Sequence, residues 1–244
     1  MAEDKWFSTW FDTTYYHTLY KNRDHKEAEQ FINRLVNHLA LPEGAEVLDL
    51  ACGKGRHSLT LFTNGYKVLG VDLSPNSIAE ASKFANENLS FRVQDMRQPI
   101  PAAQFDGIFN LFTSFGYFDD LEDNIRVLLS IENMLKPDGK FVIDFMNAHK
   151  AIQSMVAEEV KNIDGIQFNI SKRVENGFIL KDIKFEDHQE LYSFQEKVQA
   201  LKLNHFELFL EKVGLEITDV FGDYDLNNFD LENSNRLIIV GKKK

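Results

Sequence analysis

A short apolar run, Leu48-Asp49-Leu50-Ala51, leads directly into Cys52-Gly53-Lys54-Gly55-Arg56. A strand that feeds a glycine turn and then a helix is a site for a small polar ligand. Glycine lets the ligand approach the backbone, and the helix start offers unpaired N–H groups. A second run ends in Gly70-Val71-Asp72, where a carboxylate beside the first turn can accept both hydroxyls of a ribose. A third ends in Gln94-Asp95-Met96, which presents a carboxylate to an exocyclic amine. Three strand ends therefore offer a turn, a ribose acceptor and a base reader, and open α/β sheets bind their ligands at those carboxyl ends.

Two nucleoside cofactors compete for such a place. A pyrophosphate calls for G-x-G-x-x-G, but Ser58 stands at the third glycine position and Asp49 precedes the turn. A carboxylate there repels a pyrophosphate and suits an ammonium. S-adenosylmethionine carries an ammonium, a carboxylate, a ribose and an adenine, and no phosphate, so charge favours it over NAD.

Those strand ends need a scaffold. The spacing of Ala28, Phe31, Ile32, Leu35, Val36 and Leu39 predicts an amphipathic helix over 24–41. Strands are expected at 46–51, 67–72, 89–94, 105–111 and 141–146. Helices are expected at 56–64, stopped by Gly65, and after Ser74-Pro75 with Ile78, Ala81 and Phe84 inward. A further helix over 124–136 would bury Ile125, Leu128, Leu129 and Leu135, followed by a Lys136-Pro137-Asp138-Gly139 turn. Short apolar strands alternating with helices argue a parallel sheet covered on both faces. After residue 148 the period changes to two. Ile166, Phe168 and Ile170, the Asn176-Gly177 turn, then Ile179, Ile183 and Phe185, and a return over 191–200 read as an antiparallel meander. Asn204 and Glu207 suggest a capping box for a helix ending at Gly214, and 215–221 and 236–240 would close the sheet. The expected division is an N-terminal helical lid (1–44), a cofactor-binding core (45–147), an antiparallel insertion (148–203) and a C-terminal part of the core sheet (204–244).

The run from Leu48 to Gly55 resembles the first motif of class I S-adenosylmethionine-dependent methyltransferases of the small-molecule type. Val71-Asp72-Leu73-Ser74 resembles their second motif and Gln94-Asp95-Met96 their adenine-side motif. Phe105 to Asn110 is similar to their fourth strand, and Leu135 to Lys140 to the turn before their fifth. The resemblance covers about 45–147 with every motif in order. It implies a doubly wound, mostly parallel, seven-stranded Rossmann-like α/β sheet with an antiparallel last strand. It also implies jobs: Asp49 for the methionine ammonium, the backbone at Ala51, Gly53 and Gly55 for the methionine chain, Asp72 for the ribose and Leu73 under the adenine. Asp95 would take the adenine amine, Met96 would offer its N–H, and the Asn110 carbonyl would face the ammonium.

The acceptor is less legible, because methyl transfer from an activated sulfonium needs mainly alignment. Trp6, Phe7, Trp10, Phe11, Tyr15, Tyr16 and Tyr20 form an aromatic cluster at helical spacing. Its ordinary role is packing; its functional one is a lid whose Tyr16 and Tyr20 face the sulfonium, with Arg23 on the cofactor carboxylate. Phe112, Phe115 and Tyr117 follow the fourth strand, where an acceptor should lie, and His149, Tyr224 and Arg236 are weaker candidates. His57 and His149 could act as bases, although such histidines are more often structural. No metal-ligand spacing occurs.

With 244 residues, one cysteine and a formal charge of −11, the chain needs no disulfides and does not suit a nucleic-acid partner. No secretory signal or membrane span is expected, so the expectation is a cytoplasmic protein, whose meander either roofs the acceptor pocket or pairs with a second copy through its exposed edge as a homodimer. The reading is methyl transfer to a small-molecule acceptor. Its rivals are a non-catalytic S-adenosylmethionine-binding module, an NAD-dependent oxidoreductase, and a protein or RNA methyltransferase, which would require a basic groove.

Overall fold

A computed structural model describes residues 6–21 and 25–244, so the expected cofactor residue Arg23 lies outside the described residues. Two short helices open it, α1 (Trp6–Trp10) and α2 (Thr14–Leu19), the second capped by the Thr13 side chain on the Tyr16 N–H. Then follow α3 (His25–Leu39), β1 (Glu46–Leu50), α4 (Arg56–Thr63), β2 (Lys67–Asp72), α5 (Pro75–Ala81), β3 (Leu89–Val93), β4 (Phe105–Asn110), α6 (Leu121–Met134) and β5 (Leu135–Met146). Next come α7 (Ala148–Gln153), β6 (Glu158–Ile163), β7 (Ile166–Glu175), β8 (Phe178–Asp187), β9 (Glu190–Gln199), α8 (Leu203–Lys212), β10 (Leu215–Phe221) and β11 (Arg236–Lys243).

Seven strands form one sheet in the order β10-β11-β5-β4-β1-β2-β3. β11 runs antiparallel to both of its neighbours, and the other pairs are parallel. Two apolar layers cover it. Phe31, Ile32, Leu35 and Leu39 of α3 pack one face with Val47, Val68 and Phe109. Ile125, Leu128 and Ile131 of α6 and Phe206 and Leu210 of α8 pack the other with Leu48, Ile108 and Ile143. The strand order reverses between β4 and β1, so the crevice where such sheets bind ligands opens there.

A separate antiparallel sheet, β6-β7-β8-β9, stands between β5 and α8 in sequence. Phe168, Ile170, Ile183 and Phe185 line one face, and Trp10, Leu19, Tyr15 and Tyr16 of the N-terminal segment pack against it. The Asn176-Gly177 turn has φ of 50° and 81°, the double left-handed geometry of a tight hairpin.

Several expectations change. Helix α5 ends at Ala81 and continues as a single tight turn, Ser82–Phe84, so Phe84 is 54% exposed instead of buried. Leu129 lies 42% exposed on α6. That helix starts earlier than expected, at Leu121, because Asp120 caps it by accepting the Glu122 N–H. The Lys136–Gly139 turn is absorbed into β5 as an irregularity, where the register jumps from Phe105↔Leu135 to Gly107↔Lys140 and Asp138 takes φ 63°. Asn204 does not cap α8; the Lys202 backbone N–H instead donates to His205 Nδ1 at 2.9 Å. Strand β6 and helix α7 are additions to the sequence reading.

Candidate functional site

β1 and β2 lie side by side with Asp49 opposite Gly70, which brings the Asp49 and Asp72 strand ends together. After β1 the chain turns sharply: Ala51 has φ 66°, Gly53 φ 55° and Gly55 φ 78°. Cys52 N–H donates to the Val71 carbonyl at 2.9 Å, and Gly55 N–H to the Cys52 carbonyl at 3.0 Å. Gly55 then opens α4. A Cβ on it would fall 2.8 Å from the Phe91 ring, so the turn needs glycine for both conformation and space.

Asp49 is 1% exposed and accepts the Ser58 hydroxyl at 2.6 Å. Burial pushes its pKa up to about 6 against the pull of that hydrogen bond, and the nearby Asp72 charge adds to the rise. Gly70 makes room for this pair, since a Cβ there would meet Ser58 Oγ at 2.8 Å and Phe91 at 2.6 Å. Asp72 accepts the Gly53 N–H on Oδ2 and the Ser74 N–H on Oδ1, both at 2.8 Å. Burial raises its pKa more than those donors lower it. Next to it Leu73 is 39% exposed, an apolar platform at a strand end.

Asp95 lies at the third strand end, where Arg97 grips it in a bidentate pair, Nη2 to Oδ2 at 2.6 Å and Nε to Oδ1 at 3.0 Å. Arg97 also reaches Asp123 at 2.8 Å. An adenine amine would share Asp95 with this guanidinium. Met96 packs part-buried against the main core. Asn110, at the end of β4, is fully buried; its Nδ2 donates to the Leu50 carbonyl at 3.0 Å, while Oδ1 is a buried acceptor without a donor.

These residues fit S-adenosylmethionine. The position of a Gly53 Cβ has no atom within 4 Å, so the turn leaves open ground above the glycine. The buried Asp49 carboxylate and the orphaned Asn110 Oδ1 suit a positive, hydrogen-bond-donating ligand, and the exposed Leu73 suits a flat apolar one. Among the described residues there is no cluster of metal-ligating side chains.

Other sequence candidates divide. The Tyr16 ring lies tilted against Phe11 and Tyr20, with centroids 4.8 and 4.9 Å away. The Tyr20 hydroxyl donates to the Glu196 carboxylate of β9 at 2.6 Å, and Trp10 Nε1 donates to the same carboxylate at 2.8 Å. The intervening Asp12 accepts the Ser74 hydroxyl and, at 2.5 Å, the Asn76 amide. The N-terminal segment thus spans from the meander to the loop beside Asp72. Tyr117 donates its hydroxyl to the Thr113 carbonyl, and its ring meets Trp6 and Phe11 at 5.3 Å.

Phe112 and Thr113 both take left-handed backbone, with φ of 58° and 63°. The Phe112 ring stacks on His57 at 4.5 Å. Phe112 N–H donates to Asp144 Oδ2 at 2.8 Å, Arg236 Nη2 pairs with Asp144 Oδ1 at 2.6 Å and donates to Thr113 Oγ1 at 3.0 Å, and the Tyr224 hydroxyl reaches Asp144 at 3.3 Å. Tyr224 and Arg236 therefore meet at the loop after β4 through Asp144, a residue absent from the sequence candidates although a lone carboxylate in Phe141–Met146 was a readable signal. Phe115 corrects the sequence reading: it is fully buried and packs on Phe206, so its ring fills the core instead of walling an acceptor pocket. His149 sits on α7, 3.0 Å from Glu232. Ser58, read only as a departure from the dinucleotide pattern, is the partner of Asp49.

A seven-stranded sheet with one reversed strand, and acidic strand ends around a glycine turn, define a nucleoside-binding methyltransferase architecture. A methyltransferase-domain family model matches residues 41–199, and the chain belongs to this family: it is an S-adenosylmethionine-dependent methyltransferase. YqeM of Bacillus subtilis (strain 168), itself named as a methyltransferase, is 28% identical over 195 residues, 76% of this chain and 79% of that protein. The glycine/sarcosine N-methyltransferase of Parasynechococcus marenigrum (strain WH8102) is 26% identical over 236 residues, 91% of this chain and 78% of its own length. The crystal structure of an S-adenosylmethionine-dependent methyltransferase from Clostridium acetobutylicum superposes with a TM-score of 0.80 at 24% identity, covering 94% of this chain and 96% of that one.

Proposed function

We propose that this methyltransferase acts on a small-molecule acceptor, by in-line displacement at the ends of β1, β2 and β4. When bound, S-adenosylmethionine supplies an activated methyl group on a sulfonium. The protein's part is then placement. Asp49 and the Asn110 acceptors hold the ammonium, the Gly53 and Gly55 backbone lies along the methionine chain, Asp72 accepts the ribose hydroxyls and Asp95 takes the adenine amine. The N-terminal segment, with Tyr16 and Tyr20, covers the site as a lid, and the meander roofs the acceptor side. Phe112 and Tyr117 line that side from the loop after β4. The single cysteine, Cys52, and the absence of a membrane-crossing helix among the described residues are in keeping with a cytoplasmic enzyme.

The observation that carries this reading is the convergence of Asp49, Asp72 and Asp95 on adjacent strand ends around one glycine turn. It is tested by calorimetric titration with S-adenosylmethionine, S-adenosylhomocysteine and NAD, then by assaying S-adenosylhomocysteine release across a library of amines, hydroxyls and thiols. Binding of the first two and turnover of a small molecule is the expected result. Binding of NAD alone would overturn the site assignment, and turnover confined to protein or RNA would overturn the acceptor class.

A further inference from the structure

The face of the meander that packs on the N-terminal helices carries Phe168 and Ile170 on β7, and Ile183 and Phe185 on β8. Strand alternation places Lys172 and Lys181 on that same face, and the register sets them directly opposite each other. Glu196 on β9 is in turn directly opposite Lys181. The cross-strand row therefore reads Lys172, Lys181, Glu196, with the two cations adjacent. Like charges directly opposite on a sheet are destabilising. This pair is also partly withdrawn from water: the Lys172 and Lys181 side chains are 28% and 15% exposed.

Flanking carboxylates pull the lysines apart without balancing them. Lys172 pairs with Glu159 at 2.8 Å, and Lys181 with Glu196 at 3.5 Å. Lys161 shares Glu159 at 3.8 Å, so three ammonium groups meet two carboxylates. Glu196 is further drawn off by hydrogen bonds from Trp10 and Tyr20. Burial holds the Lys181 pKa below its ordinary value, and repulsion from Lys161 and Lys172 adds to this against the attraction of Glu196. A row that breaks the pairing rule of its own sheet, on a shielded face, is the kind of exception expected at functional or strained sites.

We propose that Lys172 and Lys181 bind an oxyanion, a carboxylate or a phosphate, carried by the methyl acceptor. This rests on the reading of the substrate as a small molecule. The row is joined to the N-terminal segment by Tyr20, whose hydroxyl accepts from Lys181 and donates to Glu196. The same segment reaches Ser74 and Asn76 beside Asp72 through Asp12. At its other end β9 donates its Gln199 N–H to the Gly116 carbonyl in the loop after β4, at 2.8 Å. The N-terminal segment and β9, which both contact Lys181, thus also reach the loops beside Asp72 and after β4. An anion anchored there orients the rest of the acceptor toward the strand ends, remote binding that serves alignment of the reacting atom.

Trp10 provides the readout, since its indole N–H is on Glu196. With Trp6→Phe removing the only other tryptophan, Trp10 emission is followed while inorganic phosphate or acetate is added at ionic strength held constant with chloride. The titration is run with and without S-adenosylhomocysteine. The expected result is a saturable change with at least one oxyanion, and a midpoint raised at least tenfold by Lys172→Met and by Lys181→Met. A stronger response to phosphate points to a phosphorylated acceptor, and a stronger response to acetate to a carboxylate. A response equal to that of chloride, or midpoints unchanged in the variants, overturns the proposal. Should Lys181→Met fail to fold by circular dichroism, the more exposed Lys172→Met decides alone. Calorimetry with S-adenosylmethionine on the unmodified protein separates the two readings: cofactor binding without an oxyanion response removes only the lysine site, and failure of cofactor binding removes the assigned cofactor site.

Discussion

The carboxylate of Asp72 accepts the backbone N–H of Gly53 at 2.8 Å, so the residue expected to hold the ribose also locks the glycine turn. Its other oxygen accepts the Ser74 N–H. The proposed ribose contact and the local fold therefore share one side chain.

This sets the first prediction. Read from the sequence alone, Asp72→Ala should weaken cofactor binding with little effect on folding. In the structure it also strands two backbone donors, at about 1–3 kcal/mol for each that stays buried. Asp72→Ala is expected to lower both the melting temperature and the affinity for S-adenosylhomocysteine, the latter by roughly tenfold to a hundredfold. Asp72→Asn, which keeps one acceptor oxygen, should recover part of the thermal loss. Unchanged affinity in both variants would show that the ribose contact is misplaced.

Asp49 sets the second. Its pKa lies near 6 in the ligand-free fold against an ordinary 3.8. Between those values the folded state holds a proton that the unfolded state releases, so this group makes the protein less stable as pH rises through that window. The deficit persists at pH 7 at about 3 kcal/mol. Asp49→Asn should therefore raise the melting temperature of the ligand-free protein at pH 7 while weakening cofactor binding. Binding of the cofactor's ammonium favours the ionised carboxylate, so affinity should fall as pH drops below about 6, approaching tenfold per pH unit. Calorimetry between pH 5 and pH 8 checks this; a flat profile would mean that Asp49 does not meet the ammonium.

The third contrasts two glycines. Gly55 and Gly65 both have left-handed backbone, at φ 78° and 91°, but only at Gly55 would a Cβ collide, with Phe91 at 2.8 Å. Gly65→Ala should cost about 1 kcal/mol for backbone conformation alone, and Gly55→Ala roughly 2–4 kcal/mol because overpacking is added. Urea unfolding of the two variants measures the difference.

The fourth concerns the buried pair of Asp144 and Arg236, which holds the left-handed Phe112-Thr113 loop. Removing one partner leaves an uncompensated buried charge, and Arg236→Met should destabilise by about 3–5 kcal/mol. The double variant Asp144→Leu with Arg236→Met should lose less than the two single losses combined, as a denaturation cycle would show. Additive losses would mean that the two side chains act independently.

Much of the parallel core was legible because its signals are local. Ser74-Pro75 starts α5 as expected, and Lys67–Asp72 is β2 to the residue. Asp49, Asp72 and Asp95 stand out in the sequence because each lies at or within two residues of the end of a strand whose apolar run is visible. Elements were missed where burial is one-sided or absent. Strand β6 reads Glu-Glu-Val-Lys-Asn-Ile and has no fully buried residue, so no apolar alternation announces it. Phe84 was misplaced because the helix period was carried three residues beyond the helix. Glu196 could not be found, since Trp10 and Tyr20 meet it only through the packing of the N-terminal segment on the meander. Such contacts depend on strand register, which no local window contains.

The reversal of β11 has a consequence for how this molecule can diversify. The parallel strands deliver to the crevice the segments that leave them, and each of these segments must also launch a helix or match a neighbouring strand. Because β11 runs the other way, its first residue, Arg236, lies at the same rim, opposite Met146 at the end of β5. The connection over residues 222–235, including Tyr224, is thereby slung along that rim between two hydrogen-bonded strands, with no helix to begin. Its length and side chains can drift while the β10–β11 register stays fixed. A lineage can in this way change what the crevice admits and leave the glycine turn and its three carboxylates untouched.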